Sequence, residues 1–151
     1  MKTLLTALCI CLGTSFSFAQ STYDAALAQK LGADDYGMKA YVMAFLKRGP
    51  NQSLSKAEAQ QIQQGHLENI LRMADEGTLL MAGPFLDTGA VRGIYIFNVA
   101  SLEEARKLTE TDPAIQAGTL VMELKRWYGP AALQEVYAIS KKTTKKSISG
   151  K

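Results

Sequence analysis

From Met38 to Gly129 the apolar residues of this chain switch between a period of two and a period of three to four, in one fixed order. "KAYVMAFLKRG" alternates: Tyr41, Met43 and Phe45 face one way, Val42, Ala44 and Leu46 the other. Gly49-Pro50-Asn51 breaks that strand. "SKAEAQQIQQGHLENILRMADEG" then repeats like a helix, with capping-box spacing at Ser55 and Glu58 and a stop at Gly77. Gly65 inside it is costly for a helix, and either close approach of another backbone or simple solvent exposure accounts for it. "TLLMAGPF" and "AVRGIYIFNVA" read as two strands, and "SLEEARKLTE" as a second helix, again with a capping box, Ser101 to Glu104. A small turn, "DPAIQAG", leads into a last strand, "TLVMELKRWYG". The order is β-α-β-β-α-β.

That order is the split βαβ, or ferredoxin-like, α+β pattern. It predicts an antiparallel four-stranded sheet with two helices on one face. The first and third strands are apolar on both faces, so the face without helices would be wet and oily. A second copy of the same sheet, related by a twofold axis, is the economical cover. The expected assembly is a homodimer joined sheet to sheet, a dimeric α/β barrel. The alternative is a monomer whose free face is covered by residues 20–37 and 131–140.

The ends of the chain read differently. Residues 1–19 have Lys2, an apolar run from Leu4 to Leu12, and Ser17-Phe18-Ala19 before Gln20, the layout of a cleaved signal peptide. The run is short for a membrane span, so no stable membrane anchor is expected. Export to the periplasm or outside the cell follows. Both cysteines, Cys9 and Cys11, fall in that segment, so the mature chain would hold no disulfide and no thiolate. Residues 20–37 form a lead-in with a helical turn or two around Tyr23–Leu31, and residues 38–140 the folded domain. Five of the 17 basic residues lie in a lysine-rich tail, 141–151, expected to be solvated and flexible. Setting aside those five and Lys2 leaves 11 basic against 14 acidic residues. The basic character thus belongs to the tail; the body shows no basic patch interleaved with aromatics, and nucleic acid is not an expected partner.

Little in the sequence can carry chemistry. One histidine and no mature cysteine do not make a usual zinc site. No nucleophile elbow, phosphate loop or dinucleotide fingerprint is present. The single histidine, His66, lies within about 40° of Ala59, Ile62, Ile70 and Met73 on an ideal helix, on the buried stripe. Helical geometry alone favours a core histidine, and a buried imidazole still needs a partner. Asp75 lies on the opposite side of the helix and is a poor one. Asp112, before Pro113, is a stock helix start, and a cap leaves one carboxylate oxygen free. An Asp–His pair would orient the imidazole and raise its basicity, as a general acid or base needs.

The stretch from Lys39 to about Pro130 resembles the YCII-related (YciI-like) family. The resemblance rests on "AYVMAF", the helix-borne histidine in "HLENILRMADEGTLLMAGPF", and "DP" four residues before a glycine in "GIYIFNVASLEEARKLTETDPAIQAG". It also includes the closing "VMELKRWYG". It implies a ferredoxin-like fold that dimerises through its sheets, and a His–Asp site beside a pocket. On this chain that means His66 and Asp112 as catalytic residues, with Gly83 and Pro84 shaping the pocket wall; Phe85, next to them, is taken with them as substrate-binding. Relatives include a dehydrochlorinase of chlorinated aromatics, and the wider group includes isomerases and monooxygenases. Fold does not choose among these reactions.

Two readings follow. In the first, a small aromatic or lactone-like molecule binds between helix and sheet, and His66 moves a proton in lyase or isomerase chemistry while Asp112 orients it. No cofactor is required. Tyr41, Phe85, Tyr95 and Trp127 are pocket walls or plain core. In the second, the protein is a noncatalytic ligand-binding or interaction module of the cell envelope, and the pair is a structural one.

Overall fold

In a computed structural model, residues 22–150 are described. The predicted signal peptide, with Cys9 and Cys11, lies outside them. The elements are α1 (Ala25–Leu31), β1 (Met38–Arg48), α2 (Lys56–Asp75), β2 (Leu79–Pro84), β3 (Val91–Phe97), α3 (Leu102–Thr109), α4 (Pro113–Gln116), β4 (Leu120–Pro130), a 3-10 turn (Ala131–Glu135) and α5 (Val136–Thr143). Four antiparallel strands stand in the order β2-β3-β1-β4, the ferredoxin-like arrangement that the sequence pattern predicts. None of the described helices is long and apolar enough to cross a membrane.

Alternation along the strands builds two cores. On the helix-bearing face Val42, Ala44, Leu46, Leu79, Tyr95 and Phe97 pack with Met73 of α2 and Ala105 of α3. On the other face Tyr41, Leu80 and Ile96 form a smaller cluster, joined by Trp127 and by Leu133 of the 3-10 turn. The C-terminal segment thus covers one end of that face. At the other end Phe45 and Ile94 are half-buried, and Val121 is exposed.

Both helix starts form as the spacing predicts. Ser55 and Glu58 close a full capping box, and so do Ser101 and Glu104. In each box the serine hydroxyl, then the serine backbone N–H, holds the glutamate below its ordinary value of 4.5. The folded chain therefore resists protonation more than the unfolded one. This contribution is complete above pH 4.5 and drains away as pH falls through the lower folded values. In the double variant Glu58→Gln/Glu104→Gln, the fall of the urea midpoint with acid should be shallower than in the wild type. Equal slopes would remove the boxes as its source.

The C-terminal stretch departs from the expected boundary at 140. α5 runs to Thr143, so Lys141 and Lys142 are helical. Lys141 reaches Asp75 of α2 at 3.6 Å, and Tyr137 donates to the same carboxylate at 3.0 Å. Gln64 donates to the Ser149 carbonyl at 3.0 Å, and Ser149 is buried. Lys141, Lys142, Lys145 and Lys146 therefore sit on a segment that folds back along α2. Apolar Val136 and a usable Tyr137 hydroxyl give it something to pack with, which lysine count alone does not reveal.

Candidate functional site

α2 and α4 come together where Gly65 meets Pro113: a Cβ added at Gly65 would lie 3.0 Å from the proline Cγ. Gly65 thus serves close approach, of a proline ring. Asp112 caps α4 and accepts from the Ala114 N–H at 2.9 Å. The same carboxylate faces His66, with Oδ2 2.8 Å and Oδ1 3.0 Å from Nδ1. The two roles of Asp112 therefore coexist. An ionised carboxylate only accepts, so Nδ1 carries the ring proton and the lone pair of the neutral imidazole is at Nε2.

That lone pair faces Tyr95 of β3, whose hydroxyl donates to Nε2 over 3.3 Å. The two rings lie nearly parallel, centroids 6.2 Å apart. Burial first, and the Asp112 charge second, push the Tyr95 hydroxyl well above its ordinary 10.0, so it remains a donor. The result is a line, Tyr95 to His66 to Asp112, with exposures of 2 %, 8 % and 0 %. Sequence reasoning placed Tyr95 among wall or core aromatics. Its alternation with Phe97 puts it on the helix-bearing face, and a buried phenol wants a partner, but no spacing rule names His66.

A second group steadies the loop that carries Asp112. Arg72 grips Glu76 with one guanidinium nitrogen, and with another reaches Asn69 Oδ1 at 2.7 Å and Thr111 Oγ1 at 3.1 Å. Because Arg72 donates to Oδ1, the Asn69 amide cannot be flipped without opposing two donors. Its Nδ2 is then a buried donor with no partner among the described residues, one helical turn after His66.

The other expected residues fall elsewhere. Gly83 and Pro84 end β2 and pair with Ile94 and Gly93, and Phe85 follows at 45 % exposure. No hydrogen bond among the described residues links any of the three to the pair, and none lines the cavity beside the pair or the one between α2, β2 and α5. Tyr41 and Trp127 meet on the opposite face of the sheet, ring centroids 6.0 Å apart and tilted by 31°. A cavity of about 300 Å³ lies beside the pair, between the start of α2, α4 and β4. Ile62, one turn before His66, and Ala114, held by Asp112, both line it, but His66, Asp112 and Tyr95 do not. Among the described residues no three His, Cys, Asp or Glu side chains gather as a metal site.

The sequence model of the YCII-related domain matches residues 40–128, more than half of the chain. The chain belongs to the YCII-related family. Tyr95, His66 and Asp112 all lie inside the matched segment. The uncharacterized protein YjpA of Bacillus subtilis (strain 168) is 38 % identical over 63 residues, which are 42 % of this chain and 72 % of YjpA. Among solved structures, this YCII-related chain is similar to 5-chloro-2-hydroxyhydroquinone dehydrochlorinase (TftG) from Burkholderia phenoliruptrix AC1100 in complex with 2,5-dihydroxybenzoquinone. That match has 19 % identity and a TM-score of 0.43, over 57 % of this chain and 92 % of the other.

Proposed function

We propose that this YCII-related protein is a cofactor-independent acid–base catalyst acting on a small aromatic or lactone-like molecule. The observation that carries the reading is the fully buried Asp112 carboxylate on Nδ1, which fixes the tautomer that leaves Nε2 basic. In a lyase or isomerase step His66 Nε2 takes a proton from a substrate carbon next to a carbonyl. The electron pair left behind moves into the carbonyl system, and the imidazolium that forms is stabilised by Asp112. The proton then returns at another atom, or a leaving group departs with the electron pair. Tyr95 holds Nε2 at rest and yields to the substrate. The unpaired Asn69 Nδ2, one helical turn after His66 on α2, supports the reading, since a buried donor without an acceptor suits a substrate oxygen.

Burial of the same three residues favours a second reading, a noncatalytic module in which the line is a structural polar network. One histidine makes the NMR test direct. Small aromatic acids and lactones are added while the imidazole signals are followed. A compound that moves them should be turned over, with at least about a hundredfold loss of rate in His66→Gln. If none of these compounds moves the signals and the ring resists diethyl pyrocarbonate, the noncatalytic reading replaces the enzyme.

We further propose export with cleavage before Gln20, and a dimer joined through the face bearing Phe45 and Ile94. Mass spectrometry of the secreted or periplasmic chain checks the first. For the second, the wild type should sediment as a dimer and Phe45→Asp as a monomer, because a charge at the centre of an apolar interface is costly to bury. A monomeric wild type would refute the dimer.

A further inference from the structure

A cavity of about 490 Å³ lies apart from the His66 line, between the C-terminal half of α2, the edge strand β2 and α5. Its lining is apolar in depth, with Ile70, Ala74, Leu80 and Val136. Tyr95, His66 and Asp112 do not line it. The last turn of α5 and the segment after it run along its rim, tied at one end by Lys141 to Asp75 and at the other by Gln64 to the Ser149 carbonyl. Ile148 of that segment also lines the cavity, yet it is more than half exposed.

Charge at the rim is unbalanced. Of the acidic groups at the two ties, Asp75 is engaged by Lys141 and by the Tyr137 hydroxyl, and Glu68 accepts from Gln64 at 2.8 Å. Lys141 also lies over the Tyr137 ring, 4.7 Å from its centroid. Lys145 and Lys146 line the same rim, and neither is paired with a carboxylate among the described residues. An apolar space in the size range of roughly 300–1,000 Å³ typical of ligand sites, edged by two uncompensated ammonium groups, fits one kind of molecule. We propose that it binds an amphiphilic carboxylate, a free fatty acid whose chain lies on Ile70, Ala74 and Leu80 and whose head meets Lys145 and Lys146. The lysine-rich segment then acts as the headgroup clamp of a second ligand site.

The test is calorimetric titration of the full mature chain with dodecanoate, below its micelle concentration. Dodecyltrimethylammonium, with the same chain and the opposite charge, is the control. The expected result is saturable binding of one dodecanoate per chain, with the His66 imidazole signals unmoved and the ammonium much weaker. Lys145→Glu/Lys146→Glu should weaken dodecanoate about tenfold or more. Ser140→Trp, on the exposed side of α5 and at the cavity wall, should block it by filling the space. Absence of dodecanoate binding to the wild type overturns the proposal. So does equal affinity for the ammonium, binding unchanged in both variants, or association only with vesicles of anionic lipid.

Discussion

Asp112→Ala should lower the free energy of unfolding by about 3 kcal/mol, because one side chain does two buried jobs. The cap on Ala114 is worth about 1 kcal/mol. Loss of the acceptor leaves the His66 Nδ1–H buried and unpaired, at roughly 1–3 kcal/mol. Asp112→Asn keeps one oxygen for the cap, so its cost should be smaller. A double-mutant cycle with His66→Ala separates the terms: with His66 gone, Asp112→Ala should cost little more than the cap. Urea unfolding followed by circular dichroism reads all four proteins. A cost below about 1 kcal/mol for Asp112→Ala in the wild-type background would mean that the pair contributes nothing. The same series informs the functional reading. A working site should tolerate Asp112→Asn as a fold and lose turnover, whereas a structural network loses stability alone.

Much of this arrangement was legible before the structure. Strand and helix order followed from periodicity, and both capping boxes formed at Ser55 and Ser101 because cap chemistry is local. Asp112-Pro113 announced a helix start, and the free oxygen of the cap left room for His66. What local rules could not show were contacts set by tertiary distance. Tyr95 reaches His66 across 29 residues and Arg72 reaches Thr111 across 39. The contacts of the lysine segment were not legible either, because composition weighs charge and overlooks that Tyr137 and Lys141 share Asp75. Gly83 and Pro84 came from the resemblance; they end the edge strand β2, Phe85 follows it, and none of the three lines the cavities described above.

Gly49 shows the same gap from the side of packing, and it carries the second large effect. In the sequence it reads as a strand breaker before Pro50. In the fold its missing side chain lets β1 approach the turn after α4: a Cβ there would lie 2.7 Å from the Gly118 carbonyl carbon and 2.9 Å from that of Thr119. These are backbone atoms, so no rotamer relieves the clash. Two hydrogen bonds also cross here, from the Gly49 N–H to Thr119 O at 2.8 Å and from the Asn51 N–H to Gly118 O at 3.0 Å. Asn51 Nδ2 adds a third, to Ala117 O at 3.0 Å. Gly49→Ala should therefore cost about 3 kcal/mol, at the upper end of ordinary overpacking. It should also shift the His66 imidazole signals, since the turn it displaces continues from the helix that Asp112 caps. Gly77→Ala is the control. Gly77 has φ of 73° with open space around it, so alanine there costs about 1 kcal/mol of backbone strain and should leave the imidazole signals in place. If Gly49→Ala unfolds at the wild-type urea concentration, the close approach of β1 to Gly118 is wrong. If it destabilises without moving the His66 signals, the Asp112 turn is held by α2 and Pro113 rather than by β1.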